Sequence, residues 1–263
     1  MSVWNPLIKA VAATSHQNAS AQQVVFCDFD GPIVDVSERY YHTYRRGLVE
    51  LSLVYRQANC AELSITPLSK QDFWHQKQNR VADKELAACS GVPEDWFQRY
   101  MKQVEQLVNH PSLLRWDQIQ PSAKTALIHL KQTNMRLVLV TLRHPHQVKN
   151  ILQTKGLGHL VDDIYGASAV NAAHHNRVNQ KCELLEHALE QQAKQGHRVL
   201  GSWMIGDTEA DILAAQTLGL RSAALSCGVR SKNYLEALGP TSLYNELLEA
   251  VQFIADNRTW QAA

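Results

Sequence analysis

Val24-Val25-Phe26-Cys27-Asp28-Phe29-Asp30-Gly31-Pro32-Ile33-Val34-Asp35 is the stretch on which the reading of this chain turns. Val24 to Cys27 carry no charge and are rich in β-formers, the pattern of a strand buried on both faces of a parallel sheet. The strand runs straight into two carboxylates, Asp28 and Asp30, and then a Gly-Pro turn. Open α/β sheets bind their ligands at the carboxyl ends of strands. Side chains alternate along a strand, so Asp28 and Asp30 are expected on one face with Phe29 pointing away. Asp-Gly alone is a turn signal. Two acids on one strand end, matched by acids downstream, point instead to a site.

Outward from this stretch the periodicity changes. Tyr40, Tyr41, Tyr44, Leu48, Leu51 and Val54 or Tyr55 recur at steps of three and four, an amphipathic helix. Ser69-Lys70-Gln71-Asp72 reads as a capping box before Phe73, Trp74 and Val81. Pro93 is expected at a first helical position, with that helix running to about Asn109. No strand is expected between residues 37 and 118, so this all-helical block reads as an insertion, its exit marked by Pro111 and by Trp116 to Pro121.

Helices and strands then alternate. Helices are expected over Ser122–Gln132, His146–Thr154 (stopped by Gly156), Cys182–Lys194, Asp211–Leu218 and Ser242–Ala255. Strands are expected over Leu137–Val140, Asp163–Tyr165, Ser202–Ile205 and Arg221–Leu225, five in all with the first. This alternation predicts an α/β fold, a three-layer Rossmann-like parallel sheet. The sheet domain is discontinuous, residues 1–36 and 119–263, with residues 37–118 inserted after the first strand.

Composition narrows the function classes. The 263 residues are 45% hydrophobic and 19% charged, ordinary for a globular protein, and the net charge of +1 offers no footprint for nucleic acid or an anionic membrane. No run reaches the roughly 18 apolar residues of a membrane span. Five widely spaced cysteines without a C-x-x-C pair point to reduced thiols in a cytoplasmic setting and away from structural zinc. The first 22 residues, with Lys9 ahead of the short run Ala10 to Ala13, make a poor signal peptide and read as a loose lead-in.

The chemistry sits at strand ends. Thr141 closes the second strand, and Gly206-Asp207-Thr208-Glu209-Ala210-Asp211 follows the fourth. Asp28, Asp30, Asp207 and Asp211 converging on one sheet edge would repel, each like pair at about 4 Å costing about 4 kcal/mol at an effective dielectric of about 20. A cation relieves this, and oxygen-only ligands beside a substrate phosphate favour Mg²⁺. Such a set suits phosphoryl transfer. Asp28 attacks phosphorus to form an aspartyl-phosphate, and Asp30 protonates the leaving oxygen and then deprotonates water. Thr141 supplies a hydroxyl, and a lysine should complete the phosphate site.

Asp28-Phe29-Asp30-Gly31, Thr141 and Gly206-Asp207-x-x-x-Asp211, in this order, resemble motifs of the haloacid dehalogenase-like superfamily, and the helical insertion resembles the cap of its phosphoglycolate phosphatase-like branch. The resemblance implies metal ligation by Asp28, Asp207 and the backbone carbonyl of Asp30, with Asp211 at or next to the metal. It also implies a cap that shields the site and selects the substrate. Two positions depart from the family pattern. Pro32 stands where many relatives have Thr, and the usual Lys-Pro of the third motif is replaced by Arg177-Val178-Asn179-Gln180-Lys181-Cys182. Lys181 is the expected phosphate lysine, with Arg177 its rival. Arg143 is a candidate to hold a substrate carboxylate or phosphate. Cys27 reads as packing, and His144 and His146 as solvated loop residues. Lys77 and Arg80 read as a solvated basic face, with the cleft as the alternative. The expected activity is Mg²⁺-dependent hydrolysis of a small phosphorylated metabolite. The alternatives are a phosphomutase or phosphonate-cleaving enzyme, or a binding protein that keeps the fold without turnover.

Overall fold

The computed structural model describes residues 21–169 and 172–257. The lead-in expected over the first 22 residues lies almost wholly outside them. The strands in chain order are β1 (Gln23–Cys27), β2 (Val34–Asp35), β3 (Gln118–Ile119), β4 (Met135–Thr141), β5 (Asp163–Gly166), β6 (Arg198–Gly206), β7 (Arg221–Leu225) and β8 (Ser242–Tyr244). Six of them form one sheet in the order β5-β4-β1-β6-β7-β8, with every pairing parallel. The winding direction reverses at β1, which lies between β4 and β6. That is the switch point at which open α/β sheets form their binding crevice.

Alternation along β1 explains the three layers. Val25, Cys27 and Phe29 face one side and pack with Ala126, Leu127 and Leu130 of the helix Ala123–Gln132 and Val251 and Ile254 of Leu247–Asp256. Val24 and Phe26 face the other and meet Leu185 and Ala188 of Val178–Lys194 and Ala214 and Ala215 of Glu209–Thr217. Cys27 is therefore a core residue, as its place on the strand predicts. Truncating a core aromatic such as the fully buried Phe26 to Ala would cost about 3–5 kcal/mol.

Between β2 and β3 the helices are α1 (Ser37–Asn59), α2 (Lys70–Gln78), α3 (Asp83–Cys89), α4 (Phe97–Leu107) and α5 (Pro111–Leu114). This block has its own apolar cluster, built around Tyr44, Leu48, Leu51, Phe73, Leu86 and Tyr100. Tyr40 and Trp74 pack against both this cluster and the sheet core, edge to face with each other at 6.3 Å. The block leaves and rejoins the sheet through the antiparallel β2–β3 ribbon, in register Val34 with Ile119 and Asp35 with Gln118. Ser69 caps α2 as its sequence predicts, accepting a hydrogen bond from the Asp72 amide at 3.1 Å.

Four expectations need correction. The sheet has six strands, not five, because Ser242–Tyr244 is an edge strand rather than the start of the last helix, which begins at Leu247. Three half-buried residues carry too little alternation to reveal a strand, and the amide of Asn245 donates to Glu249, setting the helix start behind it. The helix Lys232–Ala237 was not anticipated. Pro93 precedes a 3₁₀ turn, Glu94–Trp96, rather than occupying a first α-helical position. The helix carrying Lys181 begins at Val178, four residues earlier than expected.

Candidate active site

The carboxyl ends of β1, β4 and β6 bring the acids together. The Asp28 amide donates to the Ile205 carbonyl at 2.8 Å, and the Asp28 carboxylate accepts from the Phe29 amide at 2.7 Å. Next to them the chain turns at Gly31, whose φ of +95° is open to glycine. A Cβ on Gly31 would lie 2.1 Å from the Asp207 carboxylate, and one on Gly228 would meet the same group, so two glycines make room for Asp207. Asp211, in the first turn of Glu209–Thr217, accepts from the amide and hydroxyl of Thr208.

Oxygens of Asp28, Asp207 and Asp211 lie within 4.8 Å of one another, all three residues buried. Desolvation raises the Asp28 carboxyl to about 7, with Lys181 opposing the shift and Asp211 adding to it. Desolvation and then the charges of Asp211 and Asp28 raise Asp207 as well. One cation is present: Lys181 is fully buried, its Nζ 2.8 Å from Asp211, 3.1 Å from Asp28 and 2.8 Å from the Val140 carbonyl. Burial would lower its pKa, but Asp211 and Asp28 reverse that and keep it charged. One positive charge among three carboxylates leaves the cluster short of cation. Asp207 Oδ1 is buried with no hydrogen-bond partner among the described residues. An orphaned carboxylate oxygen inside an all-oxygen acid cluster fits a hard divalent ion.

The fourth acid does not join them. Asp30 faces two guanidinium groups, Arg39 Nη2 and Arg143 Nη1, each at 2.8 Å. Both arginines also bind Asp117, Arg39 through Nε at 2.8 Å and Arg143 through Nη2. Arg39, Arg143 and Asp117 are buried, and the four side chains close a ring of alternating charge. Burial alone would raise the Asp30 carboxyl, but Arg143 and Arg39 outweigh it and hold it below its ordinary value. The expectation of four converging carboxylates is thereby corrected to three. Arg143, expected to hold substrate, has its guanidinium in this ring and its Nε toward Gln147.

Thr141 accepts from the Arg143 amide at 3.2 Å, which leaves its hydroxyl proton free to donate. Arg177 is exposed at the N-cap, whereas Lys181 reaches the acids. His144 caps the helix Pro145–Thr154, and His146 is exposed.

Over the acids lies a cavity open to solvent. Asp28, Asp30, Thr141 and Thr208 line its floor, and the rest is shared between the helical insertion and the sheet domain, which contributes His174, Asn176, Val229 and Arg230 among others. Lys77 and Arg80 do face this cleft. The turn after α2 is fastened to the segment 228–231. The Ser231 amide donates to the Gln78 carbonyl at 2.9 Å, and the Ser231 hydroxyl donates to Asn79 at 2.9 Å. Arg80 and Arg230 both bind Glu209, at 2.9 and 2.7 Å. Arg39, Asp117, Glu209 and Arg230 escaped the sequence reading. Arg39 lies in a helix where any charge reads as solvated, and Asp117 lies in a loop 78 positions away. No local spacing records that pairing.

A sequence model of the haloacid dehalogenase-like hydrolases matches residues 24–225. A phosphoglycolate phosphatase of Vibrio cholerae serotype O1 is 30% identical over 112 residues, 42% of this chain and 45% of that protein. A probable phosphatase IndB of Dickeya dadantii is 23% identical over 229 residues, 87% of this chain and 91% of that protein. The chain thus spans about half the length of the phosphoglycolate phosphatases it matches. The structure of a haloacid dehalogenase-like hydrolase from Streptococcus pneumoniae superposes with a TM-score of 0.65 at 18% identity, covering 90% of this chain and 99% of the other. A predicted phosphoglycolate phosphatase from Haemophilus somnus gives 0.60 at 18% identity, covering 89% and 98%. The match over most of the chain, on a fold those structures share, makes it a member of the haloacid dehalogenase-like hydrolase family.

Proposed function

We propose that the chain is a Mg²⁺-dependent phosphatase acting on a small phosphate monoester through an aspartyl-phosphate on Asp28, in the cytoplasm. The observation that carries this reading is Asp28 itself, set between Lys181 and the two other acids at the floor of a covered cavity. A carboxylate oxygen of Asp28 attacks phosphorus, the ester P–O bond breaks, and the leaving oxygen takes a proton from Asp30. Water then attacks phosphorus, the Asp28 O–P bond breaks, and Asp30 takes the water's proton.

Asp28, Asp207 and Asp211, with the main-chain carbonyl of Asp30, would hold Mg²⁺, which neutralises charge between the anionic nucleophile and the phosphate. Lys181 and the free Thr141 hydroxyl proton bind phosphate oxygens. Lys181 also holds the nucleophile in place. Arg39 and Arg143 keep Asp30 ionised, which suits its base role; acting as an acid requires release from that pair. Arg143 becomes a positioning residue rather than a substrate contact. Residues 37–118 form a cap over the core, residues 1–36 and 119–263, and exclude water from the chemistry.

The test is turnover of acetyl phosphate and 4-nitrophenyl phosphate by the purified chain. Mg²⁺ should support hydrolysis, excess chelator should abolish it, and added Mg²⁺ should restore it. Full activity in chelator would contradict the role given to the acid cluster.

A further inference from the structure

Several hydroxyl groups line the cleft, and their partners sort them. The Thr43 hydroxyl donates to the Arg39 carbonyl at 2.8 Å, and the Thr208 hydroxyl donates to Asp211 at 2.8 Å. The Tyr44 hydroxyl lies 2.7 Å from that of Ser90 and accepts from the Leu68 amide at 2.7 Å. Thr141 keeps a free proton, already assigned to a phosphate oxygen. Two phenols are left. The hydroxyls of Tyr40 and Tyr100 bond to no described residue.

Their charged neighbours separate the two. Tyr100, on α4, is raised by burial and then by Tyr44 and Asp83, all within the insertion. Tyr40, on α1, feels the floor of the cleft. Burial pushes its phenol up to about 12, Arg39 opposes that shift, Asp30 adds to it, and Arg230 and Asp207 follow. Asp30, Arg230 and Asp207 all belong to the sheet domain, so this hydroxyl of the insertion stands near the reacting groups. Its ring is held by two neighbours, the Arg39 guanidinium 5.2 Å from its centroid and Trp74 edge to face at 6.3 Å. Arg39 is in turn fixed by Asp30 and Asp117. Tyr40 is thus a placed donor that keeps its proton at neutral pH.

We propose that Tyr40 is a further catalytic residue, its hydroxyl donating a hydrogen bond to the ester oxygen that leaves when Asp28 attacks. The assignment rests on the phosphatase reading and deepens it. In-line displacement sets the leaving oxygen on the far side of phosphorus from the nucleophile. Asp28 lies at the floor of the cleft, and the insertion that carries Tyr40 lies over it. Lys181 and Thr141, by contrast, come from the floor and serve the phosphoryl oxygens. As the P–O bond breaks, its electron pair stays on the leaving oxygen, which takes a proton from Asp30. Tyr40 keeps its own proton and stabilises the negative charge while it builds. A bond that strengthens only as that charge develops speeds the step more than it tightens substrate.

The test compares phenyl phosphate with 4-nitrophenyl phosphate on the full chain with Mg²⁺. The two esters have nearly one shape, but the phenolate leaves less readily and needs more help. The quantity read is kcat/KM, which reports formation of the aspartyl-phosphate. Tyr40→Phe removes the hydroxyl and keeps the ring beside Trp74, with thermal melting confirming that the variant folds. Its kcat/KM on phenyl phosphate should fall about tenfold or more, and the loss on 4-nitrophenyl phosphate should be several-fold smaller. Tyr100→Phe, the same change within the insertion, should leave the ratio of the two esters as it is in the unaltered chain. Equal losses on both esters would make Tyr40 a packing residue and overturn the proposal, as would unchanged kcat/KM on phenyl phosphate. Either result leaves the phosphatase reading standing. Absence of turnover of both esters by the unaltered chain would instead overturn that reading, and the role of Tyr40 with it.

Discussion

Asp28 sets burial against charge, and pH exposes the conflict. An unfolded aspartate titrates at about 4, whereas burial lifts the folded carboxyl to about 7. Between those values the folded state holds a proton that the unfolded state releases, so stability falls as pH rises through the window. Asp207, also raised, acts in the same sense. Asp30, lowered by its arginines, acts in the opposite sense but below the unfolded value, outside this window. In chelator, the melting temperature should therefore drop from about pH 5 to about pH 8. Asp28→Asn should flatten that slope, and Mg²⁺ should recover the lost stability at the alkaline end. Because His174 and His197, held below their ordinary values by burial, act in the opposite sense within this window, the comparison is with the variant: a pH dependence left unchanged by Asp28→Asn would contradict the electrostatic account of the cluster.

At the scale of elements, the turn after α2 and the segment 228–231 form the clasp between insertion and sheet. Glu209 is its pivot, receiving Arg230 from the sheet side and Arg80 from the insertion. Glu209→Gln keeps the volume and removes the charge, weakening charge-assisted hydrogen bonds worth about 1.5–3 kcal/mol. Hydrogen exchange should accelerate at residues 78–81 while the amides of β1 and β4 stay protected. Uniform acceleration across the sheet would mean that Glu209 supports the core rather than the clasp. This clasp was invisible in the sequence because it joins Arg80 to Glu209 across 129 positions. The elements it joins were legible. β1 declares itself as an uncharged β-rich run, β4 by its apolar stretch Leu137–Val140 and β6 by Trp203–Ile205, and Tyr44, Leu48 and Leu51 mark α1 by period. Legibility failed at Ser242–Tyr244, too short for any pattern. It also failed at Arg39 and Asp117, where only tertiary pairing gives a surface-type residue its buried place. The three-acid cluster was legible because Asp28 and Asp207 sit at strand ends that topology alone converges, and Asp211 lies one helical turn beyond Asp207. The pairing of the Asp30 carboxylate depends on two arginines that no spacing marks.

For the whole molecule, the reversal of winding at β1 determines the rest. It puts Asp28 at the crevice between β4 and β6, where Thr141, Asp207 and Lys181 arrive from separate crossovers, and the insertion covers that crevice. The central claim is that Asp28 is the group that accepts the phosphoryl unit. The most direct measurement is acid-quenched peptide mass spectrometry of the Asp30→Asn variant after brief exposure to acetyl phosphate and Mg²⁺, since loss of the base should slow release of the intermediate. The account predicts an added phosphoryl group on the peptide containing Asp28, sensitive to hydroxylamine and absent when Asp28→Asn is combined with Asp30→Asn. Turnover by the unaltered chain that survives Asp28→Asn, or a phosphoryl group found on another residue, would contradict it.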